Sequence, residues 1–192
     1  MSATGPEDDF FIGWADTPSA DRRFFLRAGL GLVAAVWALG VPAHRLVGVE
    51  QHEAKLVSIY ERIVGPTLWS VIVDEPDRAG EHGTMLGDLH AGVLAVVPPV
   101  SLPRQSDRLR CKLRRAGGAF EVSYAESIAH VPPEAPDMSL CHGDFHPGNV
   151  VMSPTGPVIV DWFDACRGDA AADIARTSLL LGGGLPNSQH LA

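Results

Sequence analysis

The sequence predicts an α+β fold, and three observations carry that expectation. Two short β-branched-rich runs, Val150–Met152 and Pro157–Val160, flank a Ser153-Pro154-Thr155-Gly156 turn and read as a hairpin. Upstream, His44–Val49 and Ala54–Ile63 read as strands, the second carrying Leu56, Val57, Ile59, Tyr60 and Ile63. Met85–Val97 has a helical period instead: Leu86, Leu89, Val93, Leu94 and Val97 share a face, and Pro98-Pro99 is the stop.

Residues 1–20 are acidic and aromatic without a period, and no structure is assigned to them. Asp21–Leu39 reads as a buried helix ended by Gly40 and Pro42. Its competitor is an export signal, because Arg22-Arg23 precedes the apolar run Ala28–Val41 and then Pro42-Ala43. That run falls short of the ~20 apolar residues a membrane span needs. Asp74–Gly83 reads as a polar loop, and His90, beside the apolar face of the 85–97 helix, reads as a satisfied core residue.

Arg104, Arg108, Arg110, Lys112, Arg114 and Arg115 form the basic segment of an acidic chain, with Leu109 and Leu113 as the inward side. A solvated helix face is the plain reading, and attraction for phosphate or an acidic partner the alternative. Glu121–Ala129 suggests a short helix, and Val131-Pro132-Pro133 a connector. Ala170–Leu181 is helical, with Asp169 as N-cap and Gly182-Gly183-Gly184 as stop.

With 192 residues, 46% hydrophobic and 20% charged, the chain has room for one sizeable domain or two small lobes. A net charge of −8 opposes general nucleic-acid binding, which needs a basic footprint. Cys111, Cys141 and Cys166 lack paired Cys-x-x-Cys spacing, so a disulfide framework is not implied and a reducing cytoplasm fits best.

The chemistry concentrates between Leu140 and Asp164, LCHGDFHPGNVVMSPTGPVIVDWFD. Folding the chain back at Thr155 sets Asn149 opposite Asp161, and opposed cross-strand residues have Cβ atoms about 5 Å apart. An amide oxygen beside a carboxylate suits Mg²⁺ carried by a phosphate-bearing ligand. Asp144 stands just upstream in the loop Gly143–Gly148. Acid, four residues, asparagine, hairpin and second acid is also the order of base, metal ligand and metal ligand in kinases. Two other readings compete: Asp and Asn as ordinary turn formers in a Pro-Gly loop, and His142-x-Asp144-x-His146 as the transition-metal site of a hydrolase.

The segment resembles the catalytic stretch of the aminoglycoside phosphotransferase family, H-G-D-x-H-x-x-N followed by a strand-borne I-D-W. Here these are His142, Gly143, Asp144, His146 and Asn149, then Val160-Asp161-Trp162. The resemblance, which covers about Val33 to Leu181, implies a protein-kinase-like fold. It would have a partial small lobe, an incomplete antiparallel sheet plus helix, and a mostly helical large lobe with a catalytic-loop hairpin.

It implies boundaries of 1–29 for an unassigned leader, 30–68 for the partial small lobe and hinge, and 69–192 for a C-terminally shortened large lobe. It makes Asp144 the base and Asn149 and Asp161 the Mg²⁺ ligands. Glu61, Arg62 and Ile63 become the hinge backbone that meets the adenine of ATP, and Asp173 a brace for the catalytic loop. His142 and His146 read as structural support.

The implied activity is ATP- and Mg²⁺-dependent transfer of a γ-phosphate to a hydroxyl of a small molecule. A kinase-like small lobe also needs a strand lysine and a helix glutamate. The chain's lysines are Lys55 and Lys112, and no glutamate falls between Glu7 and Glu50. A chain shortened at both ends, or an inert pseudokinase, is therefore the alternative to an active enzyme.

Overall fold

The computed structural model describes residues 10–13, 36–37, 39–52, 55–116 and 138–182. The expected helices at 21–39 and 121–129, the Arg22-Arg23 pair and the 131–133 connector lie largely or wholly outside those residues. Among the described residues, three small antiparallel sheets and the α-helices beside them make a mixed fold, α+β as expected. Among the described residues no helix is long and apolar enough to cross a membrane.

The chain forms two compact units, Met1–Thr84 with Pro147–Phe163, and Met85–His146 with Asp164–Ala192. The first holds a three-stranded sheet of order β1-β3-β2, from β1 (Phe10–Gly13), β2 (Leu46–His52) and β3 (Lys55–Glu61). β1 corrects the reading of residues 1–20 as unstructured: its short aromatic run pairs with β3, Phe10 against Glu61, which no local signal announces. After β3 an extended linker leads to α1 (Leu68–Asp74), whose N-cap Thr67 accepts the Ser70 N–H at 3.2 Å.

The hairpin belongs to this unit as β5 (Val150–Ser153) and β6 (Gly156–Ile159). Main-chain bonds hold it on both sides. Ile159 N–H donates to the Pro42 carbonyl at 2.6 Å, and Met152 N–H to the Pro66 carbonyl at 2.8 Å. Val150, Ile159, Leu68 and Trp162 are its buried core. Gly65 has to be glycine, because a Cβ there would collide with the Met152 carbonyl.

The second unit pairs β4 (Ser139–Cys141) with β7 (Cys166–Gly168), around which stand α3 (Gln105–Ala116) and α4 (Ala170–Gly182). It also takes the last turns, from Met85, of α2 (Ala79–Leu94). The polar stretch before that helix is not a loop throughout: a 3₁₀ turn, Pro76–Arg78, runs into α2 at Ala79. Arg78 clamps it by pairing with Glu75 and Glu81, and this i,i+3 charge pattern supports helix where apolar periodicity is absent.

The buried stripe of α2 is His82, Leu86, His90 and Val93, while Val97 lies beyond the helix end and is exposed. α3 is also rotated from expectation. Leu109 is exposed at 40%, whereas the Arg108 side chain retains only 13% of its exposure. A carboxylate across the unit, Asp164, turns the basic side inward. Cys141 and Cys166 are buried partners across the β4–β7 ladder, and their mutual contact together with burial pushes the Cys141 thiol up.

Candidate active site

In the second unit, β4 delivers the chain into the loop that begins at His142. Gly143 follows at φ +79, with its Cα packed so closely on the Asp164 carbonyl that a Cβ would collide there. Asp173, in the first turn of α4 and 2% exposed, accepts the His142 N–H at 3.0 Å and the Gly143 N–H at 2.9 Å. His90 Nε2 stands 3.1 Å from the same carboxylate, so the α2 histidine is satisfied, as read. Burial pushes the Asp173 carboxyl up, and the His90 ring and the two backbone donors outweigh it, leaving the pKa lowered.

Packing completes the frame. Phe145 stacks on His90 with centroids 4.3 Å apart and meets His142 edge-on at 5.7 Å. Thr177 donates its hydroxyl to the Phe145 carbonyl at 2.9 Å. His142, fully buried, accepts the Asp144 N–H on Nδ1 at 3.3 Å, which assigns its proton to Nε2.

The Asp144 carboxylate projects from this frame beside a histidine and an arginine. His146 Nε2 lies 3.7 Å from Oδ2, and Arg176 donates from Nη2 to Oδ1 at 2.7 Å. The His146 hydrogen bond and then Arg176 hold the carboxyl well below the usual carboxylate range, against the opposing effect of burial. Asp144 is therefore ionised at neutral pH. Sequence reading missed Arg176. A lone arginine 32 residues downstream carries no local signal.

In the first unit the hairpin register differs from the one expected. Val150 pairs with Ile159 and Ser153 with Gly156, so positions i and 309 minus i face each other, not i and 310 minus i. The turn is a two-residue tip, Pro154-Thr155, instead of one centred on Thr155. Ser153 tightens it by accepting the Thr155 N–H at 3.2 Å and donating to the Gly156 carbonyl at 2.7 Å. Asn149 consequently pairs with Val160, whose N–H reaches the Asn149 carbonyl at 2.9 Å.

Asp161 is thus not directly opposite Asn149, although both stand at the open end of the hairpin. A one-residue slip sends a side chain to the other face. Asp161 instead leaves the ladder through a left-handed backbone, φ +61. It is the only non-glycine residue with positive φ among those described. Such strain gathers at functional positions. The two side chains offer oxygen donors alone, which fit a hard cation such as Mg²⁺.

Glu61, Arg62 and Ile63 run from the end of β3 towards α1. Glu61 N–H is committed to the Arg45 carbonyl at 2.9 Å. Nearby, His44 stacks edge-on against Tyr60 at 4.4 Å, and Tyr60 meets Phe163 at 6.4 Å. Burial lowers the His44 pKa to about 4, a hydrogen bond with the Ile159 backbone opposing it.

The His142-x-Asp144-x-His146 reading fails on geometry. No group of three or more His, Cys, Asp or Glu among the described residues could hold a metal ion, and His142 Nδ1 is spent on the Asp144 amide.

The chain matches the model of a phosphotransferase enzyme family over residues 16–190. No curated protein sequence matches it. Among solved structures it is similar to an aminoglycoside-3'-phosphotransferase of type VIII, with a TM-score of 0.62 at 16% identity over 88% of this chain and 67% of the other. A Streptomyces rimosus aminoglycoside phosphotransferase in complex with ADP and streptomycin gives 0.60 at 15%, over 96% and 76%. An amicoumacin kinase in complex with AMP-PNP and Ca²⁺ gives 0.54 at 14%, over 93% of this chain and 59% of that one. These likenesses show a shared kinase-like fold.

Proposed function

The chain belongs to the phosphotransferase enzyme family, a kinase-like enzyme class, and from that premise we propose that it transfers the γ-phosphate of ATP to a hydroxyl group of a small molecule. The observation that carries this reading is the clamped loop. A carboxylate in the family's base position is kept ionised on a backbone that Asp173 holds by two N–H groups.

In the proposed reaction Asp144 accepts the proton of the acceptor hydroxyl as its oxygen attacks the γ-phosphorus, whose bond to the β–γ bridging oxygen breaks so that ADP leaves. His146 and Arg176 hold the carboxylate in orientation. Its low pKa makes it a weak base, which suits phosphoryl transfer: positioning and electrostatic stabilisation supply most of the rate there. Asn149 and Asp161 are the residues proposed to hold Mg²⁺, and Arg62 and Ile63, after Glu61, to meet the adenine. When bound, the metal supplies charge neutralisation on the phosphates.

Support for nucleotide and divalent-metal use comes from the solved neighbours' complexes with ADP, or with AMP-PNP and Ca²⁺. Calorimetric titration of Mg²⁺–ATP into the wild type and Asp161→Ala tests the metal assignment. Binding lost in the variant is the expected result, and equal affinity removes it.

A second reading, a nucleotide-binding protein without turnover, is favoured by one observation. Of the chain's two lysines, Lys112 is engaged by Asp164, and Lys55 is the first residue of β3, its backbone in register with His52. Phosphate transfer to any hydroxylated acceptor, abolished by Asp144→Asn, would refute it.

A further inference from the structure

Two of the chain's three cysteines face each other where the segment carrying Asp144 begins and ends. Cys141 is the last residue of β4 and Cys166 the first of β7, so they form the terminal pair of that ladder. We propose that Cys141 and Cys166 are a redox-active dithiol, a modification site that a peroxide closes to a cross-strand disulfide. The dithiol is independent of the phosphotransferase reading.

Backbone hydrogen bonds fix the kind of pair this is. The Leu140 N–H points away from β7, to the Val96 carbonyl at 3.1 Å, and the Arg167 N–H away from β4, to the Pro103 carbonyl at 3.0 Å. In an antiparallel ladder such outward-facing pairs alternate with pairs that exchange both N–H···O bonds, so Cys141 and Cys166 are of the second kind, with Cα atoms about 5.5 Å apart. A disulfide spans Cα separations of roughly 4.4–6.8 Å.

Opposed residues also send their side chains to one face, and here the two thiols hydrogen-bond each other. Their Cβ atoms start about 5 Å apart. Closing to the roughly 4 Å of a disulfide asks a shift of about 1 Å at the end of a short ladder.

Both cysteines are buried. Cys141 Sγ otherwise stands 3.7 Å from the Ser139 and Asp169 carbonyls and 3.8 Å from Gln105 Nε2, long contacts for a weak donor and acceptor. Cys166 is among the residues lining a cavity of about 400 Å³, whose walls include α3, β7 and α4. A small oxidant thus has a route to its sulfur. The Cys166 contact and burial push the Cys141 thiol up, so Cys141 keeps its proton and enters second.

The step balances with hydrogen peroxide as oxidant. Cys166 Sγ attacks one peroxide oxygen, the O–O bond breaks, and the thiol proton leaves with the departing oxygen as water. Cys141 Sγ then attacks the sulfur of the sulfenic acid, the S–O bond breaks, and the Cys141 proton leaves with the hydroxyl as a second water. The two thiols lose two electrons, which the peroxide takes up. The link encloses Asp144, Asn149 and Asp161 in one covalent loop and lies one residue from the His142 N–H that Asp173 holds.

The test treats the full-length chain carrying Cys111→Ser with hydrogen peroxide, alkylates it after denaturation and maps its peptides. The expected product is a Cys141–Cys166 cross-link, lighter than the reduced chain by two hydrogens and reversed by dithiothreitol. It should melt above the reduced chain by roughly 5–10 °C, because tying a loop of about 25 residues restricts the unfolded ensemble. Cys166→Ser should remove both the link and the gain. Should that variant fail to fold, the cross-link map decides, since it alters neither cysteine.

Three results overturn the proposal: Cys141 and Cys166 recovered as alkylated thiols under peroxide that oxidises Cys111 in the unsubstituted chain, a link that forms only in urea, or a linked form that melts at or below the reduced one. No nucleotide enters the test. Its failure therefore leaves the Mg²⁺–ATP titration untouched, and failure of that titration leaves the dithiol standing.

Discussion

The two compact units hold their candidate functional residues by opposite means. In the second, side chains hold main chain: Asp173 takes the N–H groups of His142 and Gly143, Thr177 the carbonyl of Phe145, and His142 the N–H of Asp144. In the first, main chain holds main chain, through the β5–β6 ladder and the carbonyls of Pro42 and Pro66. The difference teaches where each region is vulnerable. A loop built on buried polar side chains depends on their identity, and a hairpin built on its own ladder depends on backbone approach and register.

The sharpest way to break that contrast is Asp173→Ala. It strands the buried His142 N–H, the half-buried Gly143 N–H and His90, and losing one partner of a buried polar pair costs about 3–5 kcal/mol. Urea unfolding should show a loss of that order, and a loss below ~1 kcal/mol would mean that the loop does not depend on its brace.

Acid titration probes the other unit. His44 has a folded pKa of about 4 against 6.5 unfolded. Between those values the unfolded chain binds more protons, so stability falls as pH drops from about 6.5 to about 4. The loss is about 3 kcal/mol at 1.36 kcal/mol per unit. His44→Phe should flatten the curve in that window, and an unchanged slope would acquit His44. The lowered pKa values of Asp144 and Asp173 act in the same sense at lower pH.

Gly65→Ala tests whether backbone approach limits the hairpin. Its Cβ meets the Met152 carbonyl, and overpacking of this kind costs about 1–3 kcal/mol. The conservative change Val151→Ile, on a half-buried strand position, should move the melting temperature far less. Equal effects would erase the distinction between approach and side-chain identity.

The smallest effect has the opposite sign. Asp161→Gly relieves a left-handed backbone that costs an L-residue about 1–2 kcal/mol, less the entropy that glycine adds to the unfolded chain. A net gain of about 0.5 kcal/mol, with Mg²⁺–ATP binding lost, would show strain retained for function. Destabilisation would show that the Asp161 side chain supports the hairpin end.

Much of this was legible in the residues. The order His142-Gly143-Asp144, Asn149, Asp161 carried the family, because it resembles that family's catalytic motif. β-branched runs around Ser153–Gly156 carried the hairpin, and the period of Leu86 and Val93 carried the buried face of α2. Asp173 was named from resemblance, since nothing in its neighbourhood distinguishes it from an ordinary first-turn helix carboxylate.

Other features were decided by tertiary structure. Whether the tip holds two residues or three turned on the Ser153 hydroxyl bonding across it, and that choice moved every cross-strand pair by one. Arg176 reaches Asp144, and Arg108 and Lys112 reach Asp164, across 32 to 56 residues. Local pattern records only how a segment divides between water and interior. A charged side chain is assigned to solvent until the fold brings an opposite charge beside it, so the inward turn of α3's basic face and the Arg176 contact with Asp144 emerged only when the chain closed on itself.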